Sequence, residues 1–437
     1  MGKIKNLCKN LLVVLLILSA LYMTTLVWSY TMGVSEIELI NRALGRERQE
    51  TVLYPNYAEL SYALRVVTPL KCAVRASEGA GLYSTPDGDT ASTCFETAQV
   101  VLAEALETAG EPILSTSYQW REALSGTMVF LDFDGCFPLD TLARLIGAEP
   151  PDYLTADARY IVLSIREDRV VLYYKTDERT IYCMDTESDA EYLRKLCGDY
   201  VGNGSRFAYE ENLADARDVL LLRPELTCTG LTAQSVTAIA SESDTNRIMT
   251  AVLEGFGFNA YTARAYREKD GTQVYVDEER TLRVSADGYV TYYNPAKLSS
   301  DTAPTGEART ARIAEAARLV SEMLTPTLGD ARLYLQSGSY DAQTGLYTVR
   351  FGAAYDGIRI LGEPGFTARV EFRGAELVAA DVCLTSYRAS GTVNLIPASQ
   401  ALAAASSTAG FGLYYSVTDS GVEAGWYNIA ESVEKAG

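Results

Sequence analysis

Two carboxylates stand two residues apart at the end of an apolar run. In Met-Val-Phe-Leu-Asp-Phe-Asp-Gly-Cys-Phe, residues 128–137, Asp132 and Asp134 come just before Gly135. Delivered by a buried strand, such a pair has the residue types for phosphoryl transfer. Asp132 would attack, Asp134 would act as acid and base, and a magnesium ion would neutralise the phosphate charge.

The decapeptide resembles the first motif of the haloacid-dehalogenase-like phosphatases, which implies a parallel, doubly wound sheet with the pair at a strand's carboxyl end. The flanking sequence points elsewhere. One short helical stretch follows, and then tightly linked β-rich runs that predict antiparallel hairpins. Cys136 stands where that family has Thr or Val, and Gly198-Asp199 lies in a loop rather than after an apolar strand. Asp-Gly also occurs at 87–88, 270–271, 287–288 and 356–357. Gly takes positive φ readily and Asp suits turns, so the dipeptide reads as this chain's habitual turn. The expectation at 128–135 is a core strand with a tight exit.

Other candidates are weaker. Gly198, Gly202 and Gly204 form no phosphate loop, because no Gly-Lys-Ser/Thr follows. Asp152, Asp157, Glu167 and Asp168 read as a solvated surface rather than a calcium site. Glu210 and Glu211 are adjacent and point apart, which disfavours glycosidase chemistry. Trp120 and Trp426 read as core or interface anchors. The chain contains no histidine, which removes Ser-His and Cys-His catalysis and His-ligated metals. We assign no catalytic residue, no cofactor and no metal from the sequence, and read the chain as not an enzyme.

The elements that hold these residues come from a chain of 437 residues, 48% hydrophobic, long enough for several domains. Its net charge of −19 disfavours nucleic acid as a partner. Its 29 Tyr favour strands and half-wet surfaces. Leu11 to Tyr30 carries no charge, matches the ~20 residues that cross a bilayer, ends in Trp28 and Tyr30, and follows Lys3, Lys5 and Lys9. That predicts an uncleaved single-pass anchor with a cytoplasmic N-terminus and an extracytoplasmic body; a cleaved signal peptide is the rival. Seven cysteines follow, with no Cys-x-x-Cys, so buried thiols or one or two disulfides are expected, with Cys72–Cys94 and Cys183–Cys197 as trial pairings.

Along the body, residues 66–74 read as strand. Phe95, Ala98, Val101, Leu102, Ala105 and Leu106 share one helix face. Residues 139–146 read as helix and 159–185 as three strands. Helices near 246–255 and 313–324 each lead into strands. In the second of these, Arg312, Glu315, Arg318 and Glu322 lie away from the apolar stripe. This predicts an α+β fold with mainly antiparallel sheets: anchor 1–30, juxtamembrane stalk 31–65, and domains 66–225, 226–300 and 301–437. The shared order of the last two hints at a distant repeat.

Three segments together resemble a known family: "SYQWREALSGTMVFLDFDG", "GFGFNAYTARAYREKDGTQVYVDEERTLRVSADGYVTYYN" and "YTVRFGAAYDGIRILGEPGFTARVEFRGAELVAADVCLTSYRASGTVNLIPASQALAA". With the N-terminal anchor, this order is similar to the YycH/YycI family of Gram-positive bacteria. The resemblance implies a membrane-anchored regulator with an extracytoplasmic α+β body. Its implied partners are a sensor histidine kinase of a two-component system controlling cell-wall metabolism and a paralogous YycH/YycI-type protein. The family offers no catalytic residues to carry over.

Overall fold

The structure, a computed structural model, describes residues 57–429 apart from 177–179, 237–241, 260–262, 296–302, 406, 409 and 419. The predicted anchor Leu11 to Tyr30 lies outside the described residues. Among those described, no helix is long and apolar enough to cross a membrane.

The first sheet contains β1 (Lys71–Arg75), β2 (Tyr83–Ser84), β3 (Ile113–Leu114), β4 (Met128–Pro138), β5 (Asp157–Arg166), β6 (Arg169–Lys175) and β7 (Ile181–Asp189). Its order is β2-β1-β4-β5-β6-β7-β3, and every pairing is antiparallel. The predicted hairpins are present. Glu167 and Asp168 both take positive φ in the tight β5–β6 turn. Helices α1 (Tyr57–Val66), α2 (Gly88–Glu107), α3 (Ser117–Ser125), α4 (Leu139–Leu145) and α5 (Ala190–Gly198) accompany this sheet.

β4 alternates as a half-and-half strand must. Val129, Leu131 and Phe133 enter the large core with Phe95, Ala98 and Leu102 of α2. Met128 and Phe130 enter a second core with Trp120, Tyr160, Tyr173 and Phe207. α2 starts where Asp87 accepts the Thr90 N–H at 2.7 Å, so Asp87-Gly88 is a helix cap rather than a turn. The strand expected over 66–74 begins only at Lys71, because Tyr57–Val66 is helical.

After β8 (Arg206–Phe207) and β9 (Leu221–Leu222), β10 (Thr227–Ser235) leads to α6 (Glu242–Gly255). The meander β11 (Arg264–Arg267), β12 (Gln273–Asp277), β13 (Arg280–Val284) and β14 (Tyr289–Tyr293) follows. α7 (Gly306–Leu324) then precedes β15 (Arg332–Asp341), β16 (Leu346–Tyr355), β17 (Ile358–Leu361), β18 (Ala368–Arg373) and β19 (Glu376–Cys383). Last come β20 (Thr385–Asn394), α8 (Ala398–Ala404), β21 (Phe411–Thr418) and β22 (Gly421–Asn428). β14 pairs with β19, so the two meanders form one antiparallel sheet, β11-β12-β13-β14-β19-β18-β16-β15. β17 pairs antiparallel with β16 and parallel with β21. β20 crosses back to pair with β10. The fold is therefore α+β and rich in antiparallel sheet.

α7 corrects one detail of the amphipathic reading. Ile313, Ala317 and Val320 are buried as expected, but so is Arg312. Its Nε donates to Gly374 O at 3.0 Å, and its guanidinium lies 5.6 Å from the Phe372 ring centre. Both flanks of the helix are held: Arg309 pairs with Asp140 of α4 at 2.6 Å and Arg318 approaches Glu59 of α1 at 3.6 Å.

Candidate functional site: an acid–arginine joint beside a cavity

Asp134-Gly135 is not a turn. β4 continues to Pro138, and its register on β5 slips between Asp132 and Phe137, so residues 133–136 stand against Arg159 alone. This wide bulge bends the strand and re-aims its side chains. Asp134 takes φ +55°, which Asp tolerates better than most residues. The Asp132 carboxylate accepts the Asp134 N–H at 2.9 Å.

The bulge is where the two sheets meet. Cys136 bridges in parallel to Ser337 of β15. β15 has its own register slip between Leu335 and Ser337. The contact is so close that a Cβ on Gly135 would lie 1.9 Å from Leu335 O. Only glycine fits there.

Arg159 answers both acids. Its Nη2 donates to Asp134 Oδ1 at 2.5 Å, and its Nε lies 3.6 Å from Asp132 Oδ1. Arg359, from β17 in the second sheet, approaches Asp134 Oδ2 at 3.9 Å. Asp132, Asp134 and Arg159 are all buried. Burial pushes the Asp132 carboxyl above the usual carboxylate range, against the pull of Arg159 and Lys71. Nearby, burial pushes the Tyr414 phenol up to about 12.

Asp132 also lines a partly open cavity of about 230 Å³. Residues 219–229 wall it on one side and the β21–β22 hairpin on another. Lys71, Arg159 and Arg223 line it, as do Asp132, Glu225 and Asp356. Tyr160, Tyr414 and Trp426 supply aromatic surface. Trp426 stacks on Phe411 with centroids 5.7 Å apart and rings 1° from parallel. The sequence reading named Asp132 and Trp426 but did not connect them. Lys71, Arg223 and Tyr414 were not singled out. No signal in the sequence marked them: Lys71 becomes the register partner of Asp132 only through the pairing of β1 with β4.

The remaining candidates do not converge. Asp157 opens β5 while Glu167 and Asp168 follow its far end, about 30 Å away at ~3.3 Å per residue. Asp168 pairs with Arg194. Glu210 pairs with Arg75 at 2.6 Å and accepts the Phe207 N–H at 2.8 Å, whereas Glu211 pairs with Arg206. Trp120 is a core residue whose indole N–H donates to Ala216 O at 2.9 Å. Among the described residues no three His, Cys, Asp or Glu side chains gather as a metal site. Cys72, Cys94, Cys183 and Cys197 are buried free thiols. Cys183 and Cys197 lie in different cores, so that trial pairing fails. Cys72 and Cys94 share the large core, and the Cys72 thiol donates to Ala91 O at 3.5 Å.

The phosphatase geometry is absent at this place. Asp132 sits on a strand flanked antiparallel on both sides by β1 and β5, and an arginine clamps both acids. Two antiparallel sheets joined through buried ion pairs, with an amphoteric cavity alongside, define an α+β scaffold. No family model matches the chain, and no curated protein matches it. Among solved structures the chain is similar to YycH from Bacillus subtilis, with a TM-score of 0.53, 13% identity, 85% of this chain covered and 94% of that one. The protein has a YycH-like fold. A structure of an uncharacterized protein from Eubacterium rectale also matches, with a TM-score of 0.30, 12% identity, 46% of this chain covered and 76% of that one.

Proposed function

We propose that this protein is a membrane-anchored, non-enzymatic regulator that binds and modulates a sensor histidine kinase of a two-component system controlling cell-wall metabolism. The observation that carries the reading is the YycH-like fold over 85% of the chain, together with the family resemblance of the sequence blocks it contains. Leu11 to Tyr30 is the proposed anchor, with the N-terminus cytoplasmic and the body outside. A paralogous YycH/YycI-type protein is the proposed second partner.

The physical basis is differential binding. A regulator without chemistry of its own shifts a kinase between two states only by the difference in its affinity for them. Affinity capture of the full chain from its native membranes tests this: a sensor histidine kinase is expected in the eluate. Deletion of residues 1–30 is expected to abolish both capture and the change in kinase output. Absence of any kinase from the captured complexes overturns the reading.

A further inference from the structure

Most charged groups around the cavity are already satisfied. Asp132 is held by Arg159 and by the Asp134 N–H. Two cations keep donors open, although Lys71 acts on the Asp132 carboxylate and Glu225, Asp356 and Asp87 act on Arg223. Lys71 makes no ion pair or hydrogen bond through its side chain among the described residues. Arg223 is tied at one end, where Nη1 donates to Pro86 O at 2.9 Å. Its Nη2 is a buried N–H with no acceptor. A buried charged donor without a partner is costly, and an acceptor supplied by a ligand would relieve that cost.

The backbone keeps the approach to Arg223 open. In the β16–β17 turn, Asp356 and Gly357 take φ +49° and +72°. A Cβ at 357 would lie 2.6 Å from Leu70 O and 3.7 Å from Arg223 Nη2. Any side chain there would intrude between Arg223 and the start of β1, where Lys71 stands.

The rest of the lining sets the class of ligand. Three cations and three carboxylates leave no excess charge for a dianion. Two free donors suit one singly charged acceptor group. Tyr160, Tyr414 and Trp426 suit a flat apolar body. Glu225 is exposed. Burial holds the Asp356 carboxyl above the usual carboxylate range, against the pull of Arg223.

We propose that this cavity is a binding site for a small organic carboxylate, held at its charged end by Lys71 and Arg223 and along its apolar body by the Tyr160–Tyr414–Trp426 wall. This inference does not depend on the identity of any protein partner.

Phenylacetate is the probe, titrated against the full-length protein in detergent and followed by the Trp426 indole NMR signal. Saturable binding in the millimolar range or tighter is expected. The neutral analogue phenylacetamide is expected to bind at least tenfold more weakly, and inorganic phosphate is expected not to compete. Lys71→Met and Arg223→Met are each expected to weaken phenylacetate at least tenfold, with Lys71→Arg retaining it. Should Arg223→Met fail to fold by its melting curve, the half-buried Lys71 pair of variants decides. The proposal is overturned by any of four results: no saturable binding, equal binding of acid and amide, displacement by phosphate, or unchanged affinity in Lys71→Met.

Discussion

Asp134 and Arg159 form a buried ion pair, with 2.5 Å between Oδ1 and Nη2. It sits where one strand's bulge leaves four residues opposite one. The acid sits on left-handed backbone, and the arginine is the single residue facing the bulge. A second arginine, Arg359, reaches the same carboxylate from the other sheet. The pair therefore belongs to the joint between sheets, and removing either member exposes the cost of burying the other.

Breaking that pair tests its role. Asp134→Asn is expected to destabilise the protein by about 3–5 kcal/mol, because Arg159 keeps its charge and loses its closest partner. Arg159→Met should cost a similar amount. The double variant should lose less than the sum of the two, since no lone charge remains. Denaturant midpoints of the three variants decide this, and additive losses would argue against a coupled pair.

Gly135 is held by contact, not by turn chemistry. Gly135→Ala is expected to cost about 3 kcal/mol or more, because its Cβ would lie 1.9 Å from Leu335 O and a backbone must move. Gly147→Ala, at φ +87° with open space around it, should cost only about 1 kcal/mol. Thermal melts of the two variants compare packing strain with dihedral strain directly.

Asp132 and Asp87 predict opposite responses to acid. Burial raises the Asp132 carboxyl in the folded state. The folded protein then holds a proton more readily than the unfolded chain. Its contribution is full below the unfolded value of about 3.9 and is lost as pH rises through the folded value. Asp87 is lowered, chiefly by the Thr90 N–H, so its contribution is present above about 3.9 and is lost as pH falls through the folded value. The stability of wild type relative to Asp132→Asn should therefore fall with rising pH, and relative to Asp87→Asn it should rise. Chemical denaturation from acid to neutral pH measures both slopes.

The thiols should react in two groups. Cys72, Cys94, Cys183 and Cys197 are buried, and burial raises the Cys197 thiol to about 12. Cys136, Cys228 and Cys383 are half-exposed. A thiol reagent applied to the native protein, followed by peptide mass mapping, should label the second group first. Early labelling of Cys72 or Cys197 would contradict the packing of α2 and α5 on the first sheet.

Much of the architecture was written in near neighbours. The helix face from Phe95 to Leu106, the hairpins over 159–185 and the turns at 270–271, 287–288 and 356–357 follow from periodicity and dihedral preference, which act over a few residues. The absence of histidine and the repeated Asp-Gly likewise made the downstream reading of residues 128–137 a structural one. What the decapeptide does could not be read there. Asp134-Gly135 has the composition of a turn, but its conformation is set by Leu335 and Gln336, remote in the chain and brought in by the pairing of β15. The cavity is assembled the same way, from β1, β5, residues 219–229 and the last hairpin. Local sequence determined which elements form and which face each buries. Tertiary structure alone decided that Asp134 would meet two arginines and that Lys71 and Arg223 would share a cavity, because such contacts depend on sheet register and bulges that no short stretch encodes.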